Sequence, residues 1–455
     1  MKVFVAGATG VLGRRVVPRL VAAGHDVTAI ARTPAKAAQL RAVGAQPVSA
    51  SLFDADALAS AVAGHDAVVN LATHIPTAAQ ATRRSSWDEN ERIRTEGSRN
   101  LVDAALHTGT SVYVQESIAF LYGDHGADVI DADSTPIVDS LFTGSMRTAE
   151  ANASRVSEAG GRGVVLRFGM FWAAEAAHTQ MFLSAARKGV VLDAVAPDGY
   201  FPMIDGDDAA TAVVAALDAP SGTYDVVDSD PRPRREVTCA LATAVGRRRL
   251  TRPPAAVGKT APHLAWSQRV SNEKFRRATG WEPVTPTGPE IATKAAREAG
   301  IEPALGFVPR LLLWGLALTG LTLGVYAQFF PRVFYDDFPF NRQWVAMDGP
   351  YNEHLVRDFG VMNLALTFLT FAAIVLSSRT VARIAAGAWL VFSIPHALYH
   401  FRHLERYDTA DQIGNVVSLS AGIGLAIALL IATRVRPDTA SSPTPLPEEL
   451  LPSGA

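Results

Sequence analysis

Four apolar residues, Val3-Phe4-Val5-Ala6, run straight into Gly7-Ala8-Thr9-Gly10-Val11-Leu12-Gly13 and then into a helical pattern over Arg14–Ala23. A short apolar run followed at once by three spaced glycines predicts a buried strand, a tight turn and a helix start. Such a turn brings main-chain N–H groups and a helix N-terminus up to a pyrophosphate, and a Cβ would block that approach. The segment therefore predicts a dinucleotide site under Gly7, Gly10 and Gly13, with Thr9, Val11 and Leu12 between them. The same glycines interrupt what could pass for a signal sequence after Met1-Lys2, so the first domain is expected to stay in the cytoplasm.

The pattern continues in kind. Val27–Ile30, Ala67–Leu71, Val112–Gln115 and Val164–Arg167 are short apolar runs suited to strands buried on both faces. Helical patterns fill the gaps, as at Ala55–Ala63 and Thr95–Thr108. Alternation of this kind predicts an α/β domain with a doubly wound parallel sheet over residues 1–300, with a small substrate lobe mainly within 167–295. At 455 residues and a net charge of −2, the chain is long enough for more than one domain and gives no reason to expect a nucleic-acid partner. Its 36 Arg against 6 Lys read as the mark of a GC-rich bacterial genome. Cys239 is the one cysteine, which excludes an internal disulfide and a cysteine-based zinc site, and it is expected to be buried and inert.

Composition changes near residue 305. Segments 311–330, 359–376, 384–401 and 413–433 are long and apolar, bracketed by Arg310, Arg379, Arg383, Arg434 and Arg436. Each is close to the roughly 20 residues needed to cross a hydrocarbon core. A linker at 301–310, a four-helix transmembrane bundle over 311–433 and a disordered Pro- and Ser-rich tail at 437–455 are expected. Arginine counts are nearly balanced, so the cytoplasmic placement of the first domain sets the orientation. This predicts a multi-pass protein of the bacterial plasma membrane, with the bilayer as its partner. His354 with Asp358, His396 with His400 and then His403, and Asp411 with Asn415 would gather at the outer end of the bundle. Metal or haem binding, an interhelical polar network and simple interfacial solvation all remain open for them.

At the end of the second strand the sequence reads Ala31-Arg32-Thr33. An acid there would bind a ribose 2′-hydroxyl and repel a 2′-phosphate, whereas Arg32 can pair with the phosphate. NADP(H) is therefore expected in preference to NAD(H).

Further segments carry a family resemblance. These are Asn70-Leu71-Ala72-Thr73, Val114-Gln115-Glu116-Ser117 followed by Tyr122-Gly123-Asp124, Leu166-Arg167-Phe168-Gly169, Phe201-Pro202-Met203-Ile204-Asp205 with Asp208-Ala209-Ala210, and Val270-Ser271-Asn272 with Gly280-Trp281 and Pro283. Together with the Gly7–Gly13 turn, they resemble the extended and atypical short-chain dehydrogenases, often grouped as NAD-dependent epimerases and dehydratases. The resemblance spans residues 1 to about 295. It implies a Rossmann-type fold of the extended short-chain dehydrogenase kind, and it places Leu71 and Ala72 against the cofactor. It also implies a Tyr-x-x-x-Lys pair with an acid four residues beyond the lysine. Counting back from Glu150 puts Phe142 at the tyrosine position and Met146 at the lysine position, where neither can do that chemistry. The substitutes are Ser117, Tyr122 and Glu116, each of which could equally be a strand-end polar residue making local bonds. Arg147 falls about 100° around the helix from the lysine position.

Two functions fit these features. One is a membrane-anchored NAD(P)-dependent oxidoreductase or epimerase/dehydratase-like enzyme acting on a sugar-nucleotide or lipid-linked small molecule. The other is a non-catalytic NADP(H)-binding sensor or structural module that regulates the membrane domain. A third arrangement, with chemistry or transport in the four-helix unit and regulation by the first, also fits.

Overall fold

The structure, a computed structural model, describes residues 1–76, 80, 83–139, 143–191, 197–247, 249–251, 265–301 and 305–434. Phe142 and the 437–455 tail lie outside the described residues. The chain divides into two compact units, Met1–Ile301 and Glu302–Ala455.

In the first unit, the described strands are β1 (Lys2–Ala6), β2 (Asp26–Ile30), β3 (Gln46–Val48), β4 (Ala67–Asn70), β5 (Val112–Ile118), β6 (Val129–Ile130), β7 (Arg162–Phe168), β8 (Met170–Trp172), β9 (Met203–Asp205), β10 (Gly222–Val226) and β11 (Arg269–Val270). Seven form one parallel sheet in the order β10-β7-β5-β4-β1-β2-β3, while β11 pairs with β6 and β8 with β9. The unbroken apolar runs follow from burial on both faces. Val3 and Val5 enter one core cluster and Phe4 and Ala6 the other. Two sheet members carry no clean apolar run. Edge strand β3 contains Pro47, which an edge tolerates, and β10 holds the buried acid Asp225.

After β1 the chain builds outward to β2 and β3, then returns to place β4 on the other side of β1. That reversal leaves a crevice at the carboxyl ends of β1 and β4, the position where open α/β sheets bind ligands. The Gly7–Gly13 turn and the Leu71-Ala72 segment both sit there.

Among the described residues of the second unit, four helices are long and apolar enough to cross a membrane: Phe307–Phe329, Glu353–Leu376, Arg379–Phe401 and Thr409–Ala432. All four begin four or more residues before the apolar segments, and polar residues cap three of them. Asn352 accepts from the Leu355 N–H, Ser378 from Val381 and Asp408 from Asp411. The first two helices approach closely through glycine. A Cβ on Gly360 would lie 2.6 Å from the Gln328 nitrogen, and one on Gly324 would lie 2.8 Å from Leu364. Gly320 accommodates Thr367 and Trp389 in the same way, and Trp389 donates to the Thr370 hydroxyl at 3.0 Å.

The polar residues of this unit form several small groups, in one of which the His396 and His400 rings meet at 4.7 Å. His354 faces Asp358 at 3.4 Å in an exposed pair. His396 stacks on Phe392 and lies beside Phe359, and His400 approaches Asp348 at 3.9 Å. The His403 ring bonds the Tyr399 carbonyl, Arg342 pairs with Asp411, and Asn415 donates to the Asp411 carbonyl. Among the described residues, no three His, Cys, Asp or Glu side chains are gathered to hold a metal ion.

Cys239 corrects one expectation. It is exposed, on the helix Arg234–Ala244, whose buried positions are Arg234, Leu241 and Ala242. The helix turns residue 239 outward.

Candidate cofactor site and its polar neighbourhood

The turn after β1 separates its three glycines into different duties. Gly7 has φ +79°, and a Cβ there would lie 2.4 Å from the Leu71 carbonyl carbon. A Cβ on Gly13 would lie 2.2 Å from the Gly7 oxygen. Both are glycine because the chain's own backbone occupies the space. Gly10 differs: it is exposed, and its nearest neighbour to an added Cβ is the Gly7 oxygen at 3.3 Å. Gly10 is therefore where an outside group can reach the main chain. The helix Gly13–Ala22 starts here with no acid in its first turn, which leaves its positive end free for an anion.

Val11 and Thr9 flank this opening, and their carbonyls receive Arg15 and Arg14. Leu12 turns its side chain into the core. Leu71 continues β4 by donating to the Ala6 carbonyl at 3.0 Å, and the Ala72 N–H bonds Asn70 at 3.2 Å. Arg32 is exposed just past β2, and Thr33 caps the following helix Pro34–Ala42. The crevice thus has an open glycine, a helix N-terminus and a nearby cation, and these fit a dinucleotide. Gly10 and the helix start would hold its pyrophosphate, while Leu71 and Ala72 would line its path.

The three acid/base candidates sit at the end of β5, and each is already engaged. Parallel pairing aligns Ser117 with Arg167 and Arg167 with Asp225, so three neighbouring strands present one polar row. Ser117 donates to Glu150 at 2.6 Å, and Glu150 is held by Arg167 through bonds of 2.9 and 2.7 Å. Arg167 also donates to the Tyr122 hydroxyl at 3.0 Å, and Tyr122 donates to Asp225 at 2.6 Å. Tyr122 is 1% exposed, so it is fixed in the interior. Burial drives its pKa upward and pushes the Asp225 carboxyl up to about 7. Glu116 belongs to a different partnership, bonding the Arg94 guanidinium at 2.9 and 2.8 Å in a pair that is almost wholly buried. Burial pushes the Glu116 carboxyl up, against the pull of Arg94.

Met146 is fully buried in an apolar cluster with Ala119, Leu121, Tyr122 and Val227. The lysine position therefore carries neither charge nor exposure. Arg147, its neighbour, pairs with Asp139 instead.

Several members of this network escape a reading of sequence alone. Arg94 lies in a π-helical turn, Ile93–Gly97, and is one arginine among 36. Glu150 serves there only as a marker for counting, and Asp225 lies in a strand without an apolar run. The one signal available was the spacing that set Glu150 a turn beyond position 146. The later motif is structural. Asp205 caps the helix Gly206–Ala216 and takes Lys294 at 2.7 Å, while Asp208 accepts from the Val284 and Thr285 N–H groups.

Comparison with known proteins agrees with this architecture. Residues 7–220 match the family described as NAD(P)H-binding. The chain is 31% identical over 313 residues to 3-diazoavenalumate denitrifying reductase of a Streptomyces species, covering 63% of this chain and 97% of that protein. It is 26% identical to 2-alkyl-3-oxoalkanoate reductase of Stenotrophomonas maltophilia, over 55% of this chain and 77% of the relative. Among solved structures, human epimerase family protein SDR39U1 with NADPH aligns with a TM-score of 0.55 at 25% identity, over 65% of this chain and 99% of that one. Thermus thermophilus UDP-glucose 4-epimerase with NAD shares the fold, with a TM-score of 0.53 at 21% identity, over 66% of this chain and all of that one. The chain therefore belongs to the NAD(P)H-binding family of the extended short-chain dehydrogenase/epimerase superfamily, continued by four long apolar helices.

Proposed function

We propose that this protein is a membrane-anchored reductase that uses NADP(H), with the first unit on the cytoplasmic side. Its substrate would be a small molecule that carries its own electrophilicity. The observation that supports this most is the engagement, among the described residues, of the candidate proton donors at the end of β5. Tyr122 is held between Asp225 and Arg167, Ser117 is held by Glu150, and position 146 is a buried methionine. A ketone needs a proton at its oxygen as hydride arrives, and an epimerase needs a base for a hydroxyl proton. An aryl diazonium needs neither: hydride adds to the ring carbon and dinitrogen leaves. A quinone takes its proton from solvent. The reductase named for a diazo compound among the relatives points the same way. Bound NADPH supplies the hydride, and the chain's own part is to orient it at the Gly10 opening and pair Arg32 with its 2′-phosphate. The sugar-nucleotide reading rests on the shared epimerase fold and requires Tyr122 or Ser117 to leave its present partner.

The test is NADPH oxidation by the full chain in lipid nanodiscs, against aryl diazonium salts, quinones, ketones and UDP-sugars. Turnover with the first two, nearly flat between pH 6 and 8, is expected. Turnover confined to ketones or UDP-sugars, with a rate that titrates, would overturn it. Arg32→Glu should move the NADPH-to-NADH affinity ratio by about 10-fold or more, which is about 1.4 kcal/mol. Micromolar nucleotide binding with no turnover across the panel would favour the sensor reading, which the buried Met146 also supports.

A further inference from the structure

Three helices of the first unit, Ala177–Arg187, Arg234–Ala244 and Gly288–Glu298, end around one small core. Leu183, Ala186, Val245, Ala295 and Ala296 fill it, with Leu250, Ala299 and Ile301 packed on its edge. The loop after the second of these helices is tied to the end of the first. Thr251 donates to the Gly189 carbonyl at 2.7 Å, Val191 donates back to Thr251 at 3.0 Å, and the Arg247 Nε donates to the Arg187 carbonyl at 2.7 Å. This folding gathers Arg187, Lys188, Arg247 and Arg249 on one surface. Arg187, Lys188 and Arg249 are exposed. Among the described residues, Glu175 pairs with Arg15, and Glu298 faces Lys294 at 3.8 Å.

We infer that this basic helix-end surface docks on anionic phospholipid headgroups. Clustered Lys and Arg bind such headgroups over roughly a Debye length, about 8 Å at physiological salt. The chain length permits the encounter. Ile301 packs into this same core, and Phe307, the start of the first long apolar helix, follows it by six positions. An extended segment of that length reaches about 20 Å, so headgroups flanking the helix are within reach of the tether. Docking would orient the nucleotide-binding unit on the membrane without any further protein partner, and it does not depend on the reaction proposed above.

Cys239, exposed and the sole cysteine, provides a label site on the helix that leads into this surface. The full chain would carry a thiol-reactive donor dye there and be placed in nanodiscs whose headgroups carry an acceptor. Energy transfer should rise at least twofold when a third of the phosphatidylcholine is replaced by phosphatidylglycerol, and it should return to the neutral-lipid level in 0.5 M salt. K188Q/R249Q changes two exposed side chains and should remove about half of the rise. Adding R187Q and R247Q should abolish it. Equal transfer in neutral and anionic discs, or a rise that survives high salt or all four substitutions, would overturn the inference.

Discussion

The turn after β1 and the polar row at the end of β5 lie at the same edge of one sheet, yet they are built on opposite principles. At the turn, backbone meets backbone: Gly7 and Gly13 leave no room for a Cβ, and Gly10 is left open. At the row, side chains meet side chains, and Ser117, Glu150, Arg167, Tyr122 and Asp225 satisfy one another. The first region is shaped to receive something from outside. The second is already complete, which makes it a means of holding strands and helix together more than a set of free reagents. A dinucleotide fold can thus keep its binding edge intact while its proton donors become part of the interior.

The largest effect that would sharpen this contrast comes from the buried pair beside the row. Arg94→Ala would leave Glu116 unpaired in the interior, and should destabilise the first unit by about 3–5 kcal/mol. Thermal unfolding of the nanodisc-held protein would measure it, and a change under about 1 kcal/mol would mean that the pair is not structural. Next come the glycines, which should part company. Gly13→Ala should cost about 3 kcal/mol through backbone overlap, with folding and nucleotide binding lost together. Gly10→Ala should leave the melting temperature nearly unchanged while weakening NADPH at least 10-fold in a fluorescence titration. If both variants fell together, the division of duties in the turn would be wrong.

The smallest effect is a pH slope. Folded Asp225 keeps its proton up to about 7, whereas the unfolded chain releases it near 3.8. Its contribution is therefore complete below about pH 4 and drains away as pH rises toward 7. Asp228, likewise buried and pushed up to about 7, acts in the same direction. Stability should fall across this window by at most about 1.4 kcal/mol per pH unit for each group. Asp225→Asn should flatten part of the fall. An unchanged slope would show that Asp225 stays ionised against Arg167.

The same contrast explains what could be read in advance. Glycine spacing, apolar runs and long lipid-compatible segments are local signals, so β1, the turn after it and the four long helices were all legible. Helix Ser98–Thr108 was legible too, but the π-helical turn before it was not, because nothing local distinguishes Arg94 from its many exposed counterparts. Ser117 and Tyr122 were legible as polar residues at a strand end. Their partners were not, because Glu150 and Asp225 arrive from 33 and 103 positions away. Strand β10 stayed hidden for a related reason: Asp225 breaks its apolar run, and the Arg167 that accommodates it lies on another strand. Cys239 looked like an interior residue by type and proved to lie on the outer side of its helix.

Glycine contacts in the second unit also constrain how it could ever transmit a signal. With Gly360 pressed on Gln328 and Gly324 on Leu364, helices Phe307–Phe329 and Glu353–Leu376 interlock like two halves of a clasp. Sliding or turning one against the other would drive main chain into main chain. The fourth helix, Thr409–Ala432, meets the first through a softer contact, Leu425 methyls against Gly315 at 3.7 Å. A switch built on this bundle would have to keep the clasped pair as its fixed frame.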